Sequence, residues 1–149
     1  MRLQEGDDLG ERLSRCFQNA FAEGAERLVV LGSDSPTLPL ALPDRAFAAL
    51  ATTAVVLGPA QDGGYYLVGA SRLVPEMFRG IAWGGPQVLA QSLSALAHAG
   101  LTPELLPTWY DVDTMADVEA LEREIDGLRR EARPFPRRVA DALSSLREA

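Results

Sequence analysis

Three short acidic loops hold the side chains of this sequence that are best suited to chemistry. Asp34 follows the apolar run RLVVLG. Asp62 lies in a turn with two glycines, whereas Asp111 and Asp113 stand just before a helical pattern. In open α/β sheets, ligands bind beyond the carboxyl ends of the strands, where such loops are found. We therefore expect the functional residues in these three loops.

Metal binding is the chemistry that Asp34 suits best. A carboxylate in a tight Gly/Ser/Pro loop at the end of a strand can hold Mg²⁺, which takes one or two protein carboxylates and completes its shell with waters and substrate phosphates. The alternative is that Asp34 only accepts N–H groups of its own loop. Asp111 and Asp113 alternate along an extended segment, so only one of them can easily face Asp34.

Several neighbouring residues have a structural explanation as well as a functional one. Gly63 and Gly64 allow a positive φ or the close approach of a ligand, but an ordinary turn is the simpler explanation. Trp83 either stacks on a sugar or base or fills the core. Thr114 and Asp117 fit a capping box, which predicts a structural role for both.

The elements that must position these loops alternate between strands and helices. Short, continuous apolar runs predict buried strands; they lie at 27–32, 54–58 and 65–69, with a further short strand at 104–107. Caps and apolar stripes predict helices; they lie at 9–23, 43–50, 86–99, 114–126 (ending at Gly127) and after Pro136. The first of these helices has Asp8 as its predicted N-cap and stops at Gly24. This order predicts a three-layer α/β domain with a mostly parallel sheet at residues 1–127, and a helical C-terminal appendage at 128–149.

The composition limits the class of protein. A chain of 149 residues with 47% hydrophobic and 23% charged residues is typical of one globular domain. Its net charge of −7 disfavours nucleic-acid binding, because an acidic surface repels phosphates. There is no apolar run of the ~20 residues that span a bilayer, and no signal-peptide pattern. We therefore expect a cytoplasmic protein without a nucleic-acid or membrane partner.

Four segments, taken in order, resemble one bacterial family; they are 4–12 (QEGDDLGER), 32–39 (GSDSPTLP), 58–67 (GPAQDGGYYL) and 111–114 (DVDT). They look like the family catalogued as DUF2064, small proteins of the GT-A type, the fold of nucleotide-diphospho-sugar transferases. Some members are named as glycosyltransferases of arsenosugar biosynthesis. The family is also similar to the guanylyl- and cytidylyltransferases of cofactor synthesis. The resemblance extends to about Leu121.

The resemblance implies a role for each matched residue. Asp34 and Asp113 would bind Mg²⁺ or Mn²⁺, with Asp111 on the substrate side as the reserve ligand. One segment would hold the nucleotide, through Gln4, Gly6, Gly10 and Arg12. Another would line the sugar or acceptor side, through Asp62, Gly63, Gly64 and Tyr65, together with Trp83. Asp62 is the candidate catalytic base.

The chain also departs from the family pattern in two ways. Related proteins have a strand, a glycine- and basic-rich phosphate loop and a helix before the segment that matches Gln4, and these are not present here. We therefore expect a sheet that lacks the first βα unit and has an unpaired edge. Copies of the chain would self-associate through that edge, or the chain would be only marginally stable. In addition, Gly85 stands where a threonine is more usual, so a hydroxyl is lost.

The activity that the resemblance implies is metal-dependent transfer of a sugar from a nucleotide-diphospho-sugar to a small-molecule acceptor. A second hypothesis is nucleotidyl transfer, in which the same metal supports attack on an α-phosphate. A third, of a different class, is a non-catalytic remnant that binds a partner. Release of nucleoside diphosphate would favour the first, and release of pyrophosphate the second.

Overall fold

The computed structural model describes residues 6–147, with side chains up to residue 145. Strands and helices alternate along the chain, as the apolar runs predict. The helices are α1 (Leu9–Ala22), α2 (Ala41–Ala49), α3 (Val88–His98), α4 (Met115–Arg130) and α5 (Arg137–Arg147), with a 3₁₀ helix at Pro75–Phe78. The strands are β1 (Leu28–Leu31), β2 (Val55–Pro59), β3 (Tyr65–Ala70) and β4 (Glu104–Leu105).

The four strands form one mixed sheet in the order β1-β3-β2-β4. β3 is antiparallel to β1 and β2, whereas β2 and β4 are parallel. β1, β2 and β4 therefore run in one direction, with the reversed β3 inserted among them. The α/β class is confirmed, but the expected mostly parallel pairing is corrected, since only β2 and β4 pair in parallel. The turn between β2 and β3 is too short for the crossover that a parallel pair requires.

Alternate residues of the central strands face two separate cores. Val55 and Leu57 of β2 pack with residues of α1 and α3. Val56, which lies between them, packs with residues of α2. Because successive side chains of a strand point to opposite faces, α1 and α3 cover one face of the sheet and α2 covers the other. The three layers that the sequence predicts are present.

The ends of α1 follow the predicted capping chemistry. The carboxylate of Asp8 accepts the backbone N–H of Glu11 at 2.8 Å, which satisfies one of the free donors of the first turn. The helix ends at Ala22, and Gly24 adopts a φ of +95°. This left-handed conformation is common after a helix and favours glycine.

Helix α4 begins as predicted but ends later. Thr114 and Asp117 form the expected capping box. The predicted end at Gly127 is wrong, because the helix continues to Arg130 and is followed by Ala132 with a φ of +52°. A glycine inside a helix costs only about 1 kcal/mol relative to alanine, which packing can outweigh. α4 therefore crosses the predicted boundary between the α/β domain (1–127) and the C-terminal appendage (128–149).

α4 and α5 pack together around a small core of their own. Leu121 and Ile125 of α4 and Ala140 of α5 are almost fully buried there. Val112, from the segment before α4, packs against the same core. The two C-terminal helices thus support the acidic segment that precedes them. In the described part of the chain, every helix is too short or too polar to span a bilayer.

Candidate functional site

The topology of the sheet brings the three acidic loops to one edge. The loops after β1 and β2 and the segment after β4 all leave from carboxyl ends of strands that run in the same direction. Two backbone hydrogen bonds continue the pairing toward that edge: Gly32 N–H donates to Tyr66 C=O at 2.8 Å, and Gln61 N–H donates to Trp109 C=O at 3.0 Å. This is the place where open α/β sheets bind ligands.

Two hydrogen bonds tie the loop after β1 to the acidic segment before α4. The backbone N–H of Val112 donates to the carbonyl oxygen of Asp34 at 2.8 Å. The hydroxyl of Ser35, a nearly buried side chain, donates to the carboxylate of Asp111. Asp34 and Asp111 thus belong to loops that are joined directly, although they are far apart in the sequence.

The electrostatics of Asp111 show that the acidic side chains converge. Burial raises the pKa of Asp111, and the hydrogen bond from Ser35 partly offsets that rise. The negative charges of Asp62, Asp113 and Asp34 each raise the pKa further. A carboxylate that is repelled by three others lies in a region of excess negative charge, which a cation would relieve.

Asp34, Asp62 and Asp113 are the three exposed carboxylates of this group, whereas Asp111 is half-buried. Asp34 Oδ1 accepts the hydroxyl of Ser33 at 2.9 Å, and the backbone N–H of Asp113 lies 3.3 Å from Asp117 Oδ2. Asp111 is the member that contacts the opposite loop directly. The choice of Asp113 over Asp111 as the second metal ligand stays a prediction.

A divalent cation fits the chemistry of these carboxylates. Among residues 6–147, no three or more His, Cys, Asp or Glu side chains are grouped so that they could hold a metal ion. A Mg²⁺ ion that is bound with a nucleotide needs no such group, because one or two protein carboxylates suffice when phosphates and waters complete the shell. Asp34 and Asp113 are the pair predicted to supply those carboxylates.

The turn between β2 and β3 is held by its own side chain and by the start of α3. Gly64 N–H donates to Asp62 Oδ1 at 2.8 Å, and Leu89 N–H donates to Gly63 C=O at 2.9 Å. Gly63 has a φ of +90°, and a β-carbon there would lie 2.0 Å from the carbonyl oxygen of Pro86. Packing is therefore sufficient to require glycine at 63. The exposed carboxylate of Asp62 reaches the same acidic region, and its role as a base stays a prediction.

Trp83 connects the predicted nucleotide segment with the predicted sugar segment. A β-carbon on Gly10 would lie 2.0 Å from the indole Nε1, so the indole lies against the start of α1. The Trp83 ring meets the Tyr65 ring edge-on, with centroids 6.2 Å apart, and its centroid lies 6.5 Å from that of Phe78. Trp83 thus packs against the core, one of the two predicted alternatives, but remains half-buried. Burial also raises the pKa of Tyr65, so its hydroxyl keeps its proton at neutral pH.

The segment before α1 brings together two of the predicted nucleotide-binding residues. Arg12 Nε donates to the carbonyl oxygen of Gly6 at 3.1 Å. Gly6 has a φ of +148°, and a β-carbon there would lie 2.8 Å from the backbone nitrogen of Arg12. Gln4 lies outside the described residues. Binding of a nucleotide by Gly6, Gly10 and Arg12 stays a prediction.

Three polar residues behind the site were not identified from the sequence. The hydroxyl of Tyr110 donates to the carboxylate of Glu124, and Thr37 Oγ1 lies 2.8 Å from the Tyr110 hydroxyl oxygen. Burial, followed by the hydrogen bond to Glu124, raises the pKa of Tyr110 to about 12. Two sequence signals could have pointed to this group: Thr37 lies in the segment 32–39, and Tyr110 lies next to Asp111.

The comparisons with known proteins agree with the fold described above. The profile of a family described as "Uncharacterized protein conserved in bacteria (DUF2064)" matches residues 1–85. A solved structure from Desulfovibrio desulfuricans G20, named as a "putative nucleotide-diphospho-sugar transferase", is similar to this chain with a TM-score of 0.82 and 38% identity.

The similarity to that solved structure is partial in length. It covers 94% of this chain but 62% of the other, so the chain spans less than two thirds of that protein. No curated protein matches the chain significantly. Since the family profile covers more than half of the chain, this protein belongs to the DUF2064 family and has a fold of the nucleotide-diphospho-sugar transferase type.

Proposed function

We propose that this protein acts in the transfer of a sugar from a nucleotide-diphospho-sugar to a small-molecule acceptor. The observation that carries the proposal is the bond between Val112 N–H and Asp34 C=O, which joins two acidic loops at the ligand-binding edge of the sheet. The name of the relative from Desulfovibrio desulfuricans G20 supports the same class of donor.

The donor's diphosphate requires a cation on this surface, since four carboxylates would otherwise repel it. We assign Asp34 and Asp113 as the ligands of Mg²⁺ or Mn²⁺, because both are exposed at the joined loops. When bound, such an ion would neutralise the negative charge that develops on the leaving nucleoside diphosphate. Asp111, fixed by Ser35, would hold the acidic segment in place.

The remaining site residues divide between the nucleotide and the sugar. Arg12, near the N-terminus of α1, supplies positive charge for the phosphates, and its bond to Gly6 C=O orders the segment before the helix. Trp83, which Tyr65 contacts edge-on, offers an aromatic face of the kind on which sugars stack. Packing against Gly10 and Phe78 fixes the orientation of the indole before any ligand binds.

The proposed reaction needs one base. Asp62 would take the proton from the acceptor hydroxyl as the oxygen forms a bond to the anomeric carbon. The bond between that carbon and the diphosphate oxygen breaks, and the nucleoside diphosphate leaves with the electron pair. The Gly64 N–H that binds Asp62 Oδ1 orients the carboxylate and stabilises its charged form.

Product analysis tests the proposal. We expect the full-length chain, with Mn²⁺ and a panel of nucleotide-diphospho-sugars, to release nucleoside diphosphate in the presence of small hydroxyl acceptors. Asp62→Asn should lower transfer strongly but leave donor binding intact. Release of pyrophosphate from nucleoside triphosphates and sugar phosphates would instead indicate nucleotidyl transfer. Neither product, with donor binding also absent, would leave the non-catalytic alternative.

A further inference from the structure

A hydroxyl–carboxylate network lies behind the acidic loops and takes no part in the chemistry proposed above. The hydroxyl of Tyr110 donates to the carboxylate of Glu124 on α4. Thr37 Oγ1 lies 2.8 Å from the Tyr110 hydroxyl oxygen and 3.1 Å from Glu124 Oε2. The three side chains are partly buried. If one of them were removed, water could not fully replace the hydrogen bonds that it makes to the other two.

The network connects three distant parts of the chain at the place where the site is assembled. Thr37 is 73 positions from Tyr110 and 87 from Glu124 along the sequence. Thr37 belongs to the loop that carries Asp34, and Tyr110 directly precedes Asp111. The network therefore adds a third connection between the two loops that the Ser35–Asp111 and Val112–Asp34 bonds already join. Through Glu124 it also attaches both loops to α4.

The hydroxyl of Tyr110 keeps its proton at neutral pH and so can act as a donor. Burial and the neighbouring Glu124 raise the pKa of Tyr110 to about 12, and the hydroxyl of Thr37 lowers it only in part. The phenol therefore stays neutral and remains a donor to the carboxylate. Hydrogen bonds to a charged acceptor are the stronger class, so this one is suited to hold a loop in place.

We propose that Tyr110 is a positioning residue for the cation and nucleotide site. Its hydroxyl, held between Thr37 and Glu124, keeps the loop of Asp34 in register with the acidic segment of residues 111–113. The effect on cation affinity rests on the proposed function, but the register of the two loops is a property of the fold and can be measured without a ligand. The reporter of that register is the amide of Val112, which donates to Asp34 C=O.

Tyr110→Phe tests the hydroxyl alone, because the ring can keep its stacking on Trp109, with centroids 5.9 Å apart and planes at 22°. We expect hydrogen exchange of the Val112 amide in the full-length chain to become about tenfold faster, the ratio that corresponds to loss of one well-formed hydrogen bond. The dissociation constant for Mn²⁺ should rise about five- to tenfold by the same reasoning. The amide of Trp109, which donates to Pro59 C=O, should keep its exchange rate.

Tyr66→Phe is the matched control for a general loss of stability. Tyr66 is buried, and its hydroxyl donates to Pro107 C=O at 2.9 Å without contact with the network. We expect it to lower the melting temperature about as much as Tyr110→Phe, with Val112 exchange and Mn²⁺ affinity unchanged. Glu124→Gln, which keeps an acceptor oxygen but not the charge, should have a smaller effect than Tyr110→Phe, whereas Glu124→Leu should reproduce Tyr110→Phe.

The outcomes separate this proposal from the proposed function. If Tyr110→Phe lowers the melting temperature but leaves Val112 exchange as in Tyr66→Phe, the positioning role is overturned. If the wild-type chain binds no Mn²⁺, the proposed function fails. In that case faster Val112 exchange in Tyr110→Phe still supports the positioning role, and unchanged exchange still overturns it.

Discussion

The indole of Trp83 lies against the α-carbon of Gly10 so closely that a β-carbon on Gly10 would come within 2.0 Å of Nε1. Gly10 is the second residue of α1, and Trp83 lies in the loop before α3. The contact therefore connects the segment assigned to the nucleotide with the loop assigned to the sugar. It also gives Gly10 a packing role that does not depend on any ligand.

Gly10→Ala should therefore destabilise the protein. The indole is rigid and is held by Tyr65 and Phe78, so the added methyl group forces a shift that we expect to cost about 1–3 kcal/mol. Urea denaturation followed by tryptophan fluorescence measures this change. A variant with wild-type stability and an unshifted emission maximum would show that Trp83 can move away freely.

Gly127→Ala is the opposite case on α4. Gly127 lies inside the helix, and a β-carbon there meets nothing within 4 Å. Alanine removes the conformational cost of glycine, so we expect a gain of about 0.5–1 kcal/mol in the free energy of unfolding. Denaturant titration at neutral pH is the measurement. A loss of stability would mean that the helix does not continue through residue 127 in solution.

The raised pKa of Asp111 predicts a pH dependence of stability. In the folded state the pKa of Asp111 is raised above its ordinary value of 3.8, so the folded protein binds the proton more tightly than the unfolded one. The resulting stabilisation is complete below about pH 3.8 and is lost as the pH rises through the folded-state pKa. In Asp111→Asn, the fall in unfolding free energy that comes from Asp111 should disappear. The amide oxygen of the asparagine can still accept the hydrogen bond from Ser35.

Unfolding free energies of the wild type and Asp111→Asn between pH 3 and pH 7 check this expectation. NMR titration of the Asp111 carboxyl gives the sign directly. A folded-state pKa below the ordinary value for aspartate would contradict it, and would mean that hydrogen bonds to the carboxylate outweigh burial and the repulsion by Asp34, Asp62 and Asp113.

The outer edge of β1 predicts self-association. Within the described part of the chain, β1 pairs only with β3, and Leu31 at its end is 44% exposed. Free backbone groups on an edge strand can pair with the same strand of a second copy. We expect concentration-dependent dimers by light scattering, and monomers for Leu31→Lys, since a charged residue on the edge discourages pairing. A wild-type chain that stays monomeric at all concentrations would contradict this prediction.

Local patterns in the sequence predicted the elements better than their arrangement. Continuous apolar runs located the strands, and the side chains of Asp8 and Thr114 marked the starts of α1 and α4, because these signals act over a few residues. An apolar run carries no information on strand direction, so the reversal of β3 follows only from the short turn before it, which leaves no room for a parallel crossover. Packing of α4 on α5 overrode the glycine signal at Gly127.

In the site, too, local features were predicted from the sequence and long-range contacts were not. The loops of Asp34, Asp62 and Asp111 were predicted to meet because they end strands or precede a helix. The network of Thr37, Tyr110 and Glu124 was not predicted, since its members are separated by up to 87 positions and no local motif contains more than one of them. Such a group becomes visible only when the fold brings the three side chains together.

Binding of Mn²⁺ tests the central claim of a cation site at the joined acidic loops. Electron paramagnetic resonance titration of the full-length chain, with and without a nucleoside diphosphate, measures it directly. We predict that the nucleotide tightens Mn²⁺ binding and that Asp34→Asn and Asp113→Asn each weaken it at least tenfold, about 1.4 kcal/mol. Asp126→Asn, which removes an exposed carboxylate near Arg129 on α4, should have no effect. Wild-type affinity in Asp34→Asn, or equal losses in Asp34→Asn and Asp126→Asn, would contradict the assignment of the site.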